Sequence, residues 1–141
     1  MYNDFINKHT KKINNFEHIF FAFSDKQFKE GIKKMGLTES EDDLKKLIQV
    51  SNGGIILKEH YKEFKKMYTA FDEELKEKMK EKDFAIDAFL FELGNHEYCI
   101  TYDPTDTLES LGLTMKGLDN NSFLADCFKI SKNRYQKQNN Y

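Results

Sequence analysis

The sequence is poor in several residue types and has no long apolar run, and two of these shortages exclude a class of protein. It contains no tryptophan, one proline and two cysteines, Cys99 and Cys127, among 141 residues. Two cysteines cannot build a disulfide scaffold of the secreted type, so we expect both thiols to be reduced. No apolar run approaches the roughly 20 residues that a transmembrane helix needs, so we expect no membrane span.

A large excess of one charge is missing as well. The chain carries 22 Lys and Arg against 24 Asp and Glu, for a formal net charge of −2. Without a field of one sign, neither direct nucleic-acid binding nor mimicry of nucleic acid is indicated. The first fifteen or so residues lack the continuous apolar segment of a secretory signal, so we expect a cytoplasmic protein.

Aromatic residues, by contrast, are abundant. The chain has 13 Phe and 7 Tyr, and a hydrophobic fraction of 39% is too high for a disordered protein even with 33% charged residues. Large rings bury much area per residue, which suits a small core. The length fits one domain. We therefore predict a single domain over residues 1–141, with a frayed tail at residues 137–141.

Helical and strand patterns follow one another in the order α-β-α-ββ-α-α-α-α. Apolar spacing predicts an N-terminal helix over residues 2–16, and the run from His18 to Phe23 predicts a buried strand. Ser24 and Gln27 form a capping-box pattern that starts a helix, and Gly36 should stop it. Together these elements predict an α+β fold, in which several helices pack on a small antiparallel sheet of about three strands.

Residues 44–57 allow two interpretations. Runs with β-branched residues on either side of the sequence Ser51-Asn52-Gly53-Gly54 favour a β-hairpin. In the alternative, Glu41 to Val50 forms a short helix that precedes a strand. We favour the hairpin.

A long amphipathic helix is predicted over residues 58–82. Its apolar stripe recurs at alternating steps of four and three, at Leu57, Tyr61, Phe64, Tyr68, Phe71, Leu75 and Met79. The stripe is either one face packed on the core, which we favour, or the seam of a structural homodimer. A last helix is predicted over residues 120–136.

The stretch from Asp83 to Leu113 combines the most apolar segment with a cluster of polar residues. Asp83 to Leu93 is apolar almost all the way round, which predicts a helix buried in the core. Gly94 and Asn95 should end or bend that helix, and Asp103-Pro104 should interrupt any element that follows. A short helix is then predicted to open at Thr105 and to close at Gly112.

The polar half of this stretch could carry chemistry. Glu92 and His96 are four residues apart and share one helix face. If Asp103 or Asp106 folded back, the carboxylates and the imidazole could hold a divalent metal and make a small metal-dependent hydrolase. In the simpler interpretation Glu92 only pairs with His96, and Asp106 caps the short helix. The H-E-x-x-H pattern is absent, so we expect no metal and no cofactor.

The same segment could instead recognise a protein. Tyrosines with acidic neighbours make a suitable surface for a basic groove on a partner, although Tyr98 could equally belong to the core. The residues expected to form this binding surface are Tyr98, Tyr102, Asp103, Asp106 and Glu109.

Three segments carry a resemblance to a family. They are FFAFSDKQFKEG (Phe20–Gly31), GGIILKE (Gly53–Glu59) and FELGNHEYCITYDPTDTLESLGLT (Phe91–Thr114). Together they resemble a family of small uncharacterised proteins from bacteriophages and mobile elements of anaerobic bacteria. The resemblance supplies no catalytic residues. It implies a genomic setting in which small proteins often bind and disable a host defence component, CRISPR effectors included.

From these observations we expect a non-enzymatic protein-binding accessory protein that inhibits a host defence system. Its expected partner is a host protein, such as a defence nuclease, in the host cytoplasm. Two alternatives stay open: the metal-dependent hydrolase that uses Glu92, His96, Asp103 and Asp106, and the homodimer through the Leu57–Met79 stripe. The chain is then a monomer or a homodimer.

Overall fold

The computed structural model describes residues 1–50 and 53–139. Three strands are formed, β1 (Ile19–Phe21), β2 (Leu47–Gln49) and β3 (Gly54–Leu57), with a 3₁₀ turn at Lys58–His60. The α-helices are α1 (Tyr2–Asn14), α2 (Asp25–Lys34), α3 (Glu41–Leu44), α4 (Tyr61–Lys78), α5 (Lys82–Asn95), α6 (Tyr98–Thr101), α7 (Thr105–Ser110), α8 (Met115–Asp119) and α9 (Ser122–Gln138).

The fold class is α+β, as predicted, with one antiparallel three-stranded sheet. The chain divides into two compact units. One unit comprises Met1–His9 together with the chain from Ala70 onward, and the other comprises Thr10–Thr69. The boundaries fall within α1 and α4. The single domain over residues 1–141 stays a prediction.

The hairpin between β2 and β3 is confirmed. Leu47 lies opposite Leu57, and Gln49 lies opposite Ile55. The expected turn residues Ser51 and Asn52 lie outside the described residues. The alternative interpretation was right in one respect, because a four-residue helix, α3, precedes the hairpin.

Local hydrogen bonds explain why α3 forms. The Ser40 Oγ accepts from the Asp43 N–H at 3.2 Å, which caps the helix. The Asp43 carboxylate accepts from the Thr38 N–H at 2.8 Å and from its hydroxyl at 2.7 Å. These bonds, the side-chain one first, lower the pKa of Asp43 to about 2.

The strand predicted over His18 to Phe23 is shorter and less buried than expected. β1 lies at an edge of the sheet, since the strand order is β1-β3-β2. An edge strand is covered less completely than a central one. Phe21 is 37% exposed and Phe23 is 76% exposed, so the prediction of a buried strand was wrong for these two residues.

Three predicted helix ends are confirmed. The Ser24 Oγ accepts from the Gln27 N–H, and the Gln27 side chain accepts from the Phe23 N–H, which starts α2. Gly36 and Gly112 adopt positive φ angles of 74° and 71° after α2 and α7. In both cases the two N–H groups after the helix bond back to its last turn, the Schellman pattern that glycine favours.

The buried core of the first unit is built around α5. The prediction for Asp83 to Leu93 is confirmed, and the buried apolar residues of α5 are Phe84, Ala85, Ile86, Ala88, Phe89 and Leu93. α9 packs against α5: the Phe89 and Phe128 rings lie 5.2 Å apart, and the buried Ser131 hydroxyl lies 2.9 Å from the Ile86 carbonyl oxygen. Phe91 departs from the pattern, since it is 40% exposed.

The remaining helix boundaries differ slightly from those predicted. α4 ends at Lys78, before the predicted end at residue 82, and α9 continues through Gln138, which includes the first two residues of the expected frayed tail. Asn140 and Tyr141 lie outside the described residues. Within the described part of the chain, no helix is long and apolar enough to cross a membrane.

Candidate functional site

The segment from Glu97 to Ser110 turns sharply twice. Glu97 has a φ angle of 52° and Tyr102 has one of 54°, and these two residues flank the single turn of α6. Left-handed backbone costs a residue with a Cβ roughly 1–2 kcal/mol. α6 buries Tyr98 on one side and exposes Ile100 and Thr101 on the other.

Four of the five residues expected to form a binding surface are exposed. Tyr102 is 63% exposed, and Asp103, Asp106 and Glu109 are exposed as well. Tyr98 instead belongs to the core: it is 8% exposed, and its ring lies 5.9 Å from that of Tyr135. Its expected role in binding therefore does not fit its position.

Ile100 also belongs to this surface, although it was not predicted from the sequence. It is 70% exposed, more than any other large apolar side chain in the described residues except Phe23. No sequence signal pointed to it, because the single turn of α6 has no periodicity that would separate its inner side from its outer side. We call Ile100, Tyr102, Asp103, Asp106 and Glu109 the α6–α7 surface.

Of the three carboxylates of the α6–α7 surface, that of Asp103 is held by local bonds. The Asp103 Oδ1 accepts from the Thr105 hydroxyl at 2.6 Å and from the Thr105 N–H at 3.0 Å. Asp103 therefore bonds to the first N–H group of α7, whereas Asp106 was expected to cap this helix. These two bonds, the hydroxyl first, lower the pKa of Asp103. Across residues 1–50 and 53–139, neither Asp106 nor Glu109 forms an ion pair.

Glu92 and His96 form the expected pair, in which Glu92 is buried and His96 is half-buried. The Glu92 Oε2 lies 3.2 Å from the His96 Nε2, and Glu92 is 5% exposed. The Glu92 Oε1 accepts from the Tyr2 hydroxyl at 2.6 Å. Burial, then this hydrogen bond, then the negative charge of Glu92 raise the pKa of Tyr2 far above its ordinary value.

His96 connects this pair to α7. The Ser110 Oγ lies 2.7 Å from the His96 Nε2 and 2.9 Å from the Asp106 carbonyl oxygen, so it forms a hydrogen bond with each. The arrangement ties α5 to α7, which is the simpler of the two interpretations made from the sequence.

The structure does not bring the four hydrolase candidates together. Over residues 1–50 and 53–139, no group of three metal-ligand side chains within 4.8 Å includes Glu92, His96, Asp103 or Asp106. The Asp103 carboxylate is bonded to Thr105, and the Asp106 side chain is exposed on α7. A pairing between Glu92 and His96 alone supplies neither a complete ligand set nor an open coordination position.

The buried Cys127 thiol is unsuited to nucleophilic chemistry. Cys127 is buried, and that burial raises the pKa of its thiol. A protonated, enclosed thiol is a poor nucleophile. Cys99 is half-buried, and its backbone N–H donates to the Tyr135 hydroxyl at 3.1 Å.

The fold and the site define a small α+β protein with an exposed apolar and acidic surface. The chain belongs to DUF7659, a family of unknown function whose model matches residues 1–134. No curated protein and no solved structure matches the chain. The resemblance to an uncharacterised family that the sequence suggested is thereby confirmed at that level.

Proposed function

We propose that the chain is a non-enzymatic accessory protein of a phage or mobile element that binds a host protein. The observation that supports this most is the α6–α7 surface, on which Ile100 and Tyr102 are 70% and 63% exposed beside three carboxylates. Exposed apolar side chains rimmed by polar residues are typical of interaction sites. Tyrosine is also among the residues that dominate binding energy.

The charge of this surface indicates what kind of partner fits it. Asp103, Asp106 and Glu109 complement a basic groove. Nucleases present such grooves because they bind the phosphates of their substrates with Lys and Arg. A defence nuclease of the host is therefore the partner that suits both this surface and the genomic setting implied by the family resemblance, in the manner of an anti-CRISPR protein.

Two further observations favour this proposal over its alternatives. The hydrolase alternative requires ligands that converge, whereas Asp103 is bonded to Thr105 and His96 to Ser110. The homodimer alternative requires the α4 stripe to be available, yet three of its seven members, Phe64, Leu75 and Met79, are each at most 5% exposed, and the most exposed, Tyr61, is 37% exposed. Light scattering measures the oligomeric state directly, and we expect the mass of a monomer.

The anti-defence role is tested with the CRISPR effector nuclease of the bacterium that carries the gene. We expect the purified chain to inhibit target cleavage. Loss of an anchoring tyrosine costs about 2 kcal/mol, so Tyr102→Ala should need about 30-fold more protein for the same inhibition. The control is Met115→Ser, which alters an apolar side chain that is 45% exposed on α8.

The possible results test the anti-defence role and the involvement of the α6–α7 surface separately. Full inhibition by Tyr102→Ala would assign the activity to another part of the chain. The absence of any inhibition by the native chain would contradict the CRISPR effector as the target. Genes for other defence-countering proteins beside this one would support the proposed setting, and a housekeeping neighbourhood would count against it.

A further inference from the structure

A second group of polar side chains lies in the unit formed by Thr10–Thr69. His18, His60 and Glu63 each offer one ligand atom, and these atoms lie within 4.8 Å of one another. The sheet brings them together. Ile19 pairs with Ile56, so His18, just before β1, faces the chain as it leaves β3 toward His60. Glu63 follows one turn later, in the first turn of α4.

The two nitrogens of His60 have different surroundings. The Nε2 lies 3.3 Å from the Glu59 carboxylate, while the Nδ1 lies 3.7 Å from the Glu63 Oε1. The Nδ1 is buried, and within the described part of the chain it makes no hydrogen bond. With its proton on Nε2, beside the Glu59 carboxylate, His60 would have the lone pair of Nδ1 available. A carboxylate on the outer nitrogen is the usual support of a metal-binding histidine.

The distances suit two ligands of one metal ion better than a direct bond. A separation of 3.7 Å between the His60 Nδ1 and the Glu63 Oε1 is too long for a hydrogen bond. Two ligands bonded at zinc distances in tetrahedral geometry lie about 3.4 Å apart. Only a small shift of the exposed Glu63 side chain would be needed to close this difference.

His18 offers a third ligand atom. Its ring stacks on that of His60, with the centroids 3.4 Å apart and the planes at 5°. The lone pairs of parallel rings do not meet at one point, so a bound ion would tilt one ring against the other. The His60 side chain is 24% exposed and that of Glu63 is 62% exposed, so an ion can enter from solvent.

We propose that His18, His60 and Glu63 form a binding site for a divalent transition metal, with Zn²⁺ the best-suited ion. Two imidazoles and a carboxylate form a typical zinc set that leaves one coordination position open for water. The bound ion would fasten the start of β1 to the start of α4. The site shares no residue with the α6–α7 surface, and it does not depend on the proposed host partner.

The test is a calorimetric titration of the tag-free full chain with Zn²⁺ in a buffer that does not chelate metal. We expect one ion per chain. His18→Ala, His60→Ala and Glu63→Gln should each weaken binding at least tenfold, since even supporting residues outside the ligand set usually cost 10- to 100-fold. His96→Ala is the matched control, because it removes an imidazole from the Glu92 pair and should leave the affinity unchanged.

Two readouts protect the interpretation. Circular dichroism shows whether each variant is folded. If a histidine variant is unfolded, Glu63→Gln still tests the site, because Glu63 is exposed. NMR of the imidazole protons should show the His18 and His60 signals moving with zinc, because the rings unstack. The proposal would be overturned if the native chain bound no Zn²⁺ below about 1 mM, or if Glu63→Gln kept the native affinity. It would also be overturned if His96→Ala lost as much zinc affinity as His60→Ala.

Discussion

Replacing Tyr2 by phenylalanine is expected to lower the free energy of unfolding by about 2 kcal/mol. The Tyr2 side chain is 1% exposed, and its hydroxyl donates to the Glu92 carboxylate at 2.6 Å. A hydrogen bond to a charged group contributes about 1.5–3 kcal/mol. Phenylalanine keeps the ring contacts with Phe84 and Phe91, so the change isolates the hydroxyl.

The same bond predicts that the stabilities of native protein and Tyr2→Phe respond differently to alkaline pH. Burial and Glu92 raise the pKa of Tyr2, so the folded protein holds a proton that the unfolded chain releases above its ordinary tyrosine pKa of about 10. A group with a raised folded pKa contributes its full stability below the unfolded pKa and loses that contribution as the pH rises further. Native protein should therefore lose more stability above pH 10 than Tyr2→Phe does.

Urea unfolding followed by circular dichroism measures both effects. For a chain of this length, 2 kcal/mol corresponds to a fall in Tm of about 7 °C. A double-mutant cycle with Glu92→Gln should give a coupling above about 1 kcal/mol. Tyr61→Phe, at a tyrosine that is 37% exposed, should change stability by less than about 0.5 kcal/mol. A loss below about 0.5 kcal/mol in Tyr2→Phe, or no coupling to Glu92, would refute the reasoning.

Two further stability predictions concern the backbone. Gly31→Ala should destabilise the fold by about 1 kcal/mol despite the higher helix propensity of alanine, because the added Cβ would collide with the Phe20 ring. Gly94→Ala should stabilise it by up to about 1 kcal/mol, since its Cβ would meet only Tyr135, at 3.9 Å. Equal effects of the two substitutions in urea unfolding would contradict this. Glu97→Gly should stabilise by about 0.5–1 kcal/mol by relieving the left-handed backbone, and Glu97→Ala, which keeps the Cβ, should not.

The parts of the fold that depend on neighbouring residues could be predicted from the sequence. The capping of α2 by Ser24, and the helix stops at Gly36 and Gly112, need only the chemistry of a few adjacent positions. The buried helix α5 was equally clear, because apolar residues on nearly every side have one stable location. The pairing of β2 with β3 was predicted from the turn residues between them.

Features that join distant residues could not be predicted. No pattern indicates that the Tyr2 hydroxyl meets Glu92, or that His18 meets His60, since both meetings depend on how separate elements pack and pair. Short helices such as α6 and α8 span too few residues to show a period. For that reason the burial of Tyr98 and the exposure of Ile100 emerge only from the structure.

The measurement that tests protein binding most directly is quantitative capture from the host lysate, with native chain, Tyr102→Ala and Met115→Ser compared side by side. Mass spectrometry of the captured proteins should identify a host protein that the native chain and Met115→Ser retain equally and that Tyr102→Ala loses at least tenfold. Capture of no specific host protein, or equal capture by all three chains, would contradict binding through the α6–α7 surface.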